Sequence, residues 1–245
     1  MSAWEILRDE APRFFTYWNL LFLATAAGNT LALSVAGCAA GYLAGFLLAT
    51  LRLERINPVA PARWLCTLLV EVLRRIPFLI LLLTTFFAYQ LVGAKVALFT
   101  VAATAVALRM SALAAENIRA GYESIHRTQW EAALVMNLSP LTTLLRVVLP
   151  QAWRVILPPS TVHTLSMIKE TSLAVQIGFL ELTSAARALN QRGFSALLCY
   201  GTVLLLYFVI SWSIGRAGRS LEARLATRAA TRTEAPPRAA PSAAG

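Results

Sequence analysis

The sequence predicts an all-α membrane protein that crosses the bilayer about five times. Of its 245 residues, 58% are hydrophobic and only 14% are charged, whereas soluble domains are about half apolar and a quarter charged. Uncharged runs also recur at or above the roughly 18 to 20 residues that span a hydrocarbon core. A soluble helical bundle is the alternative, but it would leave this surplus of apolar surface without lipid to cover it.

The uncharged runs define the five predicted helices. No charge lies between Arg13 and Arg52, and this stretch is too long for one straight span. We therefore divide it near Gly28 into an interfacial segment, with Tyr17 and Trp18 at the lipid boundary, and a first helix. The predicted helices cover residues 29–51, 64–92, 96–118, 158–180 and 194–215.

Three regions follow from these spans. Residues 1–28 form an external or interfacial segment, and residues 29–225 form the membrane domain with a long loop at 119–154. Residues 226–245 are mostly Ala, Thr, Arg and Pro without apolar periodicity, so we expect this tail to be disordered.

The positions of the basic residues predict the orientation, because arginine and lysine are retained beside cytoplasmic loops. The loops 52–63 and 119–154 share one side with the tail, and that side holds thirteen arginines. The other side holds five basic residues: Arg8, Arg13, Lys95, Arg187 and Arg192. We therefore place the N-terminus outside and the C-terminus in the cytoplasm.

Composition and missing motifs exclude other functions. The net charge is +10, but the arginines do not gather on one element beside aromatic residues, so we expect no nucleic acid partner. The histidines His126 and His163 are isolated, and Cys38, Cys66 and Cys199 lie far apart, so no metal site is predicted. No GxxxxGK phosphate loop, HExxH motif or nucleophile–base constellation is present, which argues against an ATPase site or a hydrolase.

The longest loop has the pattern of two short helices. Residues Gln129–Met136 read as the first helix, and Asn137 tolerates the left-handed conformation that ends a helix. Ser139 is a candidate N-cap, with Pro140 at the first position of the second helix. That helix has apolar residues at helical spacing at Leu141, Leu144, Leu145 and Val148. Two short helices joined by a tight turn would form a rigid lever for a cytoplasmic partner.

This loop resembles the hallmark of the permease subunits of ATP-binding-cassette (ABC) importers. There, Glu-Ala-Ala is followed after three residues by Gly and after nine more by Ile-x-Leu-Pro. The spacing is kept here, with Asn137 in place of Gly and Val147 in place of Ile. In that family the loop docks on the ATPase subunit, which implies an ATPase-coupling role for Glu131, Ala132, Ala133, Asn137, Leu149 and Pro150.

Further segments are similar to the polar amino acid branch of this family. They are Gly28-Asn29-Thr30-Leu31, Glu71 with Arg74-Arg75 and Pro77, Ala115-Glu116, Lys169-Glu170-Thr171-Ser172-Leu173 and Glu181-Leu182-Thr183. The resemblance implies the type I importer permease fold in a bacterial cytoplasmic membrane. It also implies a dimer of ATPase subunits that bind ATP and Mg²⁺, a second permease subunit, identical or paralogous, and an extracytoplasmic solute-binding protein. No cofactor is expected in this chain.

Several charged residues lie in or beside the predicted spans, where an unpaired charge is costly. We expect Arg74, Arg75 and Arg109 to reach the cytoplasmic interface and pair with carboxylates. The resemblance places a substrate path at Glu116, Lys169, Glu170, Thr171 and Ser172, although the family usually has Asp at the position of Glu170. The alternative is structural pairing, for example of Lys169 with Glu116.

These observations predict a permease subunit that translocates a polar amino acid and takes its energy from a separate ATPase. A self-contained secondary transporter or channel is the first alternative, and it predicts inverted repeats that are not evident here. A membrane-embedded enzyme or an assembly scaffold is the second alternative.

Overall fold

The computed structural model describes the backbone of residues 3–233 and the side chains of residues 8–223, and each regular element in that backbone is helical. This confirms the all-α class. The α-helices in chain order are α1 (Ala3–Phe14), α2 (Tyr17–Leu51), α3 (Ala60–Arg75), α4 (Phe78–Leu91), α5 (Leu98–Glu123), α6 (Arg127–Val135), α7 (Pro140–Thr143), α8 (Leu149–Glu170), α9 (Leu182–Gln191) and α10 (Ala196–Thr233). A π-helical turn at Leu144–Val148 precedes α8, and a 3-10 helix at Thr171–Ile177 follows it.

Among the described residues, three helices are long and apolar enough to cross a membrane: Tyr17–Leu51, Leu98–Glu123 and Ala196–Ala223. The shorter apolar helix α4 packs against α5, and the 22-residue α8 packs against α5, α10 and α2. The polytopic membrane class is therefore confirmed, although the spans differ more in length than the sequence predicts.

The first predicted span lacks the break that we placed near Gly28. Helix α2 is continuous over 35 residues. In lipid no water competes for the backbone hydrogen bonds, so a Gly-Asn pair does not end the helix. The side chain of Asn29 instead donates to the carbonyl oxygen of Leu180 at 2.9 Å. The prediction of a separate helix starting at residue 29 was wrong.

The second predicted span, 64–92, is two helices. Helix α3 ends at Arg75, and α4 begins at Phe78 after Pro77, its N-cap residue. Proline has no amide hydrogen to donate to the carbonyl four residues earlier. The prediction of a single helix over residues 64–92 was therefore wrong.

The fourth predicted span, 158–180, begins and ends earlier. Helix α8 starts at Leu149, contains Pro158 and Pro159, and ends at Glu170. Prolines are tolerated within membrane helices where neighbouring groups satisfy the freed carbonyls. The long loop therefore ends well before residue 154, and its second short helix runs through the π-helical turn into α8.

The C-terminal third contains a further short helix and a longer last helix. Helix α9 was not predicted, and α10 begins at Ala196 and continues to Thr233. The expected disorder from residue 226 is therefore wrong for 226–233, whereas residues 234–245 lie outside the described part of the chain.

Helices α2 and α5 pack closely, and their backbones approach at three glycines spaced four residues apart, Gly37, Gly41 and Gly45. A Cβ atom added at these glycines would lie 2.4, 2.5 and 2.6 Å from side-chain atoms of Val106, Met110 and Ala114, respectively. Small residues at this spacing allow close helix packing in membranes. The spacing is visible in the sequence, but our sequence analysis did not use it.

Candidate coupling surface and substrate path

The turn between α6 and α7 has the local geometry that the sequence predicts. Asn137 adopts the left-handed conformation, with φ of 54°. The side chain of Ser139 accepts a hydrogen bond from the amide of Thr142 at 3.3 Å, and Pro140 lies in the first turn of α7. The predicted helix boundaries, Gln129 to Met136, differ from those of α6 by one or two residues. The helix–turn–helix arrangement is confirmed.

One side of α6 is buried and the other is open. Trp130 and Ala133 are buried, and Trp130 joins a core cluster formed mainly by α3, α5 and α8. Glu131 is half-exposed and pairs with Arg127 at 2.7 Å, and Ala132 is exposed. An exposed apolar patch surrounds the turn, consisting of Leu134, Val135, Met136 and Leu141. We call these four residues the turn patch.

The remaining predicted coupling residues lie at the start of α8. Leu149 is half-buried and Pro150 is exposed. The side chain of Gln151 donates to Gln129 at 3.4 Å, which connects the start of α8 with α6. This contact joins the two halves of the predicted coupling motif.

Glu116 lies among three arginines near the same end of the bundle. Its Oε2 atom is 3.1 Å from Nη1 of Arg52 and 3.6 Å from Nη1 of Arg74, and its Oε1 atom accepts hydrogen bonds from Arg119. The pairing of Glu116 with Lys169 that we considered is not the one formed. The alternative to substrate contact for Glu116 was a purely structural ion pair. Its observed partners are arginines of α2, α3 and α5.

The other membrane arginines divide into two kinds. Arg74 and Arg75 pair with Glu71 at 3.6 and 3.0 Å, as expected. Among the described residues Arg109 forms no ion pair with a carboxylate, and that prediction was wrong. Its guanidinium donates to the carbonyl oxygens of Leu73 and Arg74 at 3.0 and 2.8 Å.

The segment Lys169–Ser172 contributes differently at each position. Lys169 and Ser172 line a cavity of about 300 Å³ together with Thr183, Tyr200, Val203, Leu204 and Tyr207. Glu170 is half-buried, and its Oε2 atom has no hydrogen-bond partner among the described residues. Thr171 is fully buried and its hydroxyl donates to the carbonyl of Ile168 at 2.7 Å. Of these four residues, Lys169 and Ser172 line the cavity, whereas Glu170 and Thr171 do not.

Glu181 is a structural residue that we did not predict. Its side chain is fully buried and accepts hydrogen bonds from the amides of Thr183 and Ser184, each at 2.7 Å. The hydroxyl of Tyr207 donates to the same carboxylate at 2.9 Å. Glu181 thus caps α9 and joins it to α10 beside the cavity. The signal was available, because Glu and Ser three residues apart have the residue types of a reversed capping box.

No group of three or more His, Cys, Asp or Glu side chains within residues 8–223 is arranged to hold a metal ion. The long apolar helices, with the exposed α6–α7 turn between α5 and α8 in the chain, define a polytopic membrane component. Residues 41–226 match the family described as "binding-protein-dependent transport system inner membrane component", and the chain belongs to this family.

Curated relatives extend over most of the chain. The probable glutamine ABC transporter permease protein GlnP of Bacillus subtilis is 36% identical over 183 residues, which cover 74% of this chain and 83% of that protein. The L-cystine transport system permease protein TcyB of the same organism is 33% identical over 186 residues, covering 75% and 80%. The glutamine transport system permease protein GlnP of Escherichia coli is 31% identical over 205 residues, covering 83% and 92%.

Solved structures have the same fold. A crystal structure of an amino acid ABC transporter with histidines superposes with a TM-score of 0.75 at 27% identity, over 84% of this chain and 94% of that one. The inward-facing MetNI methionine ABC transporter superposes with a TM-score of 0.74 at 20% identity, over 86% and 99%, which is a likeness of fold.

The family assignment confirms the predicted resemblance. The chain is a membrane permease component of an ABC transport system and is not itself an enzyme. Because the family is binding-protein-dependent, membership argues against the self-contained secondary transporter or channel.

Proposed function

We propose that this chain is the permease subunit of an ABC importer that carries a polar amino acid across the bacterial cytoplasmic membrane. The observation that carries the proposal is the capped α6–α7 turn, with its left-handed Asn137, in a chain of this family. Relatives named for glutamine and cystine support an amino acid as the substrate.

The turn patch and the exposed side of α6 would receive the ATPase partner. Glu131, Ala132 and Asn137 are exposed on this side, whereas Trp130 and Ala133 are buried in the membrane domain. A force applied to the exposed side would therefore move the core through the buried one. In this proposal, a dimer of ATPase subunits binds ATP and Mg²⁺ and docks here, and Leu149 and Pro150 at the start of α8 complete the contact.

The orientation and the remaining partners follow the same proposal. The arginine-rich loops and the C-terminal end lie in the cytoplasm and the N-terminus lies outside, as the distribution of basic residues favours. Residues 17–28, which we had assigned to the external or interfacial segment, belong to the spanning helix α2. A second permease subunit, identical or paralogous, completes the pore, and an extracytoplasmic solute-binding protein delivers the amino acid.

We assign the substrate path to the segment Lys169–Ser172. Lys169 lines the cavity, and its ammonium group would suit the carboxylate of an amino acid. Glu170 does not line the cavity in this structure, and its buried Oε2 atom has no hydrogen-bond partner among the described residues. In this proposal, the movement that opens the path brings this oxygen to the substrate's ammonium group. A charge-assisted hydrogen bond of each kind would orient a zwitterion. Glu116 has no unpaired oxygen, which favours the pairing alternative for that residue.

Reversing the charge of Glu131 tests the coupling role. The complex with ATPase subunits is reconstituted with the solute-binding protein, and ATP hydrolysis is measured with and without that protein. Glu131→Lys should abolish stimulation while membrane insertion is retained, because docking depends on charge and shape complementarity.

Arg127→Gln is the matched control, since it removes the Arg127–Glu131 pair without placing a positive charge on the docking side. This control should retain most of the stimulation. Full stimulation of Glu131→Lys would contradict the proposal.

A further inference from the structure

We infer that Glu116 is a positioning residue for coupling, an anionic centre that holds the cytoplasmic ends of α2, α3 and α5 together so that they move with α6. The inference rests on the proposed function, because it needs a partner that pushes on α6. It concerns how the push spreads from α6 to the rest of the bundle.

The first step is the geometry around the carboxylate. Arg52 is the C-cap of α2, Arg74 lies in the last turn of α3, and Arg119 lies one turn beyond Glu116 on α5. Each of these arginines contacts the carboxylate of Glu116. The side chain of Glu116 is only 20% exposed. The three helices that meet at this end are thus joined through one negative charge.

The second step is what removal of that charge does. The side chain of Arg52 is 10% exposed, and its one other side-chain partner within the described part of the chain is the hydroxyl of Thr67, at 3.2 Å. Without the carboxylate, three guanidinium groups would still converge on this partly buried site. Arg74 and Arg119 would keep their pairs with Glu71 and Glu123, whereas Arg52 would lose its carboxylate partner. Like charges in a site of reduced dielectric repel strongly, so the helix ends would separate.

The third step connects this centre with α6. The guanidinium of Arg55 lies over the ring of Trp130, with 4.8 Å between its central carbon and the ring centroid. Arg52 and Arg55 belong to one tight turn, closed by backbone hydrogen bonds from Leu53 to Thr50 and from Ile56 to Leu53, both 3.1 Å long. A displacement of Trp130 therefore reaches Arg52 through a short and stiff segment.

The fourth step leads toward the membrane interior. The carbonyl oxygen of Arg74 accepts a hydrogen bond from Arg109 at the break between α3 and α4. The side chain and the backbone of Arg74 thus connect the Glu116 centre with the point where α4 begins. The contacts form one continuous path from α6 to the N-terminal end of α4.

A substrate-contact role for Glu116 competes with this inference. Its Oε1 atom accepts from Arg119, and its Oε2 atom is shared by Arg52 and Arg74. An amino acid's ammonium group would have to displace an arginine. Glu170, by contrast, has an oxygen without a hydrogen-bond partner among the described residues. We therefore assign substrate contact to Glu170 and the positioning role to Glu116.

The test compares Glu116→Gln with Glu123→Gln in the reconstituted complex. Glu123 lies on the same helix and pairs with Arg119 alone among the three arginines, so it controls for loss of a carboxylate beside that residue. Amino acid uptake per ATP hydrolysed should fall about fivefold or more in Glu116→Gln, the low end of typical coupling free energies, and should stay near the wild-type value in Glu123→Gln. Glu116→Asp, which keeps the charge, should recover part of the loss.

Further variants separate the competing explanations. Arg52→Gln should also lower the uptake per ATP hydrolysed. The double variant Glu116→Gln/Arg52→Gln should be no worse than the more affected single variant, because both substitutions remove the same Arg52–Glu116 contact. Additive losses would overturn the inference, as would a loss restricted to one amino acid, which would indicate substrate contact. If Glu116→Gln does not fold, Arg74→Gln provides the same comparison, and an unchanged ratio there overturns the inference. A wild-type complex without binding-protein-stimulated hydrolysis would instead mean that the proposed function fails.

Discussion

The carbonyl oxygen of Leu73 accepts a hydrogen bond from Nη1 of Arg109 at 3.0 Å. In a continuous helix this carbonyl would accept from the amide of residue 77, but Pro77 has no amide hydrogen. The guanidinium on α5 therefore supplies the donor that the sequence of α3 lacks. A cation within the membrane domain is thus used to stabilise a helix break.

Arg109→Gln should destabilise the protein, because two backbone carbonyls at the break lose a charged donor. A hydrogen bond to a charged group contributes about 1.5–3 kcal/mol. The thermal unfolding midpoint in detergent should fall clearly for Arg109→Gln and little for Arg75→Gln, whose arginine is mostly exposed and forms a surface pair. Equal midpoints for the two variants would mean that the break does not depend on Arg109.

Gly45→Ala should separate α2 from α5. The new methyl group would lie 2.6 Å from Cβ of Ala114 and 2.7 Å from the carbonyl oxygen of Ser111. Overpacking of this kind costs about 1–3 kcal/mol. Gly28→Ala, on the same helix with no atom within 4 Å of its Cβ position, is the control and should stabilise by about 0.5–1 kcal/mol. Urea or thermal unfolding measures both, and the prediction is wrong if the two variants change stability in the same direction.

Asn137→Gly should be close to neutral, since glycine adopts the left-handed conformation without strain. Asn137→Val should cost about 1–2 kcal/mol at this φ of 54° and should weaken ATPase stimulation. The measurement is binding-protein-stimulated ATP hydrolysis by the two variant complexes beside the wild type. Full stimulation of the valine variant would indicate that the turn geometry is not needed for docking.

Glu170→Gln should lower amino acid uptake by about tenfold or more, because the amide cannot replace a charged partner for the ammonium group. Assembly with the ATPase subunits should be retained, since Glu170 lies away from α6. Co-purification of the ATPase reports assembly, and Glu71→Gln is the control for neutralising a membrane-domain carboxylate. Parallel loss of uptake and assembly would favour a structural role for Glu170.

The sequence predicts best the features that depend on neighbouring residues. The left-handed Asn137, the Ser139 cap and the position of Pro140 are local, and all three are confirmed. Their conformations are set by steric and hydrogen-bonding rules that act within a few residues. The overall membrane class follows equally directly from composition.

The remaining features depend on contacts between distant segments. Whether a proline breaks a helix depended on its surroundings, since α8 runs through Pro158 and Pro159 while α3 ends before Pro77. The partners of Glu116 come from three helices, up to 64 residues apart in the chain, and periodicity gives no information on such pairs. Tertiary contacts therefore decided the helix breaks and the role of each charge.

The central claim is that a separate ATPase drives amino acid transport through this chain. Its most direct test is uptake of a radiolabelled amino acid panel, including glutamine and cystine, into proteoliposomes that contain the complex, with binding protein outside and ATP inside. The account predicts uptake of at least one polar amino acid that stops when ATP, the binding protein or the ATPase subunit is omitted. Uptake that continues with this chain alone, in the absence of the ATPase subunit, would contradict it.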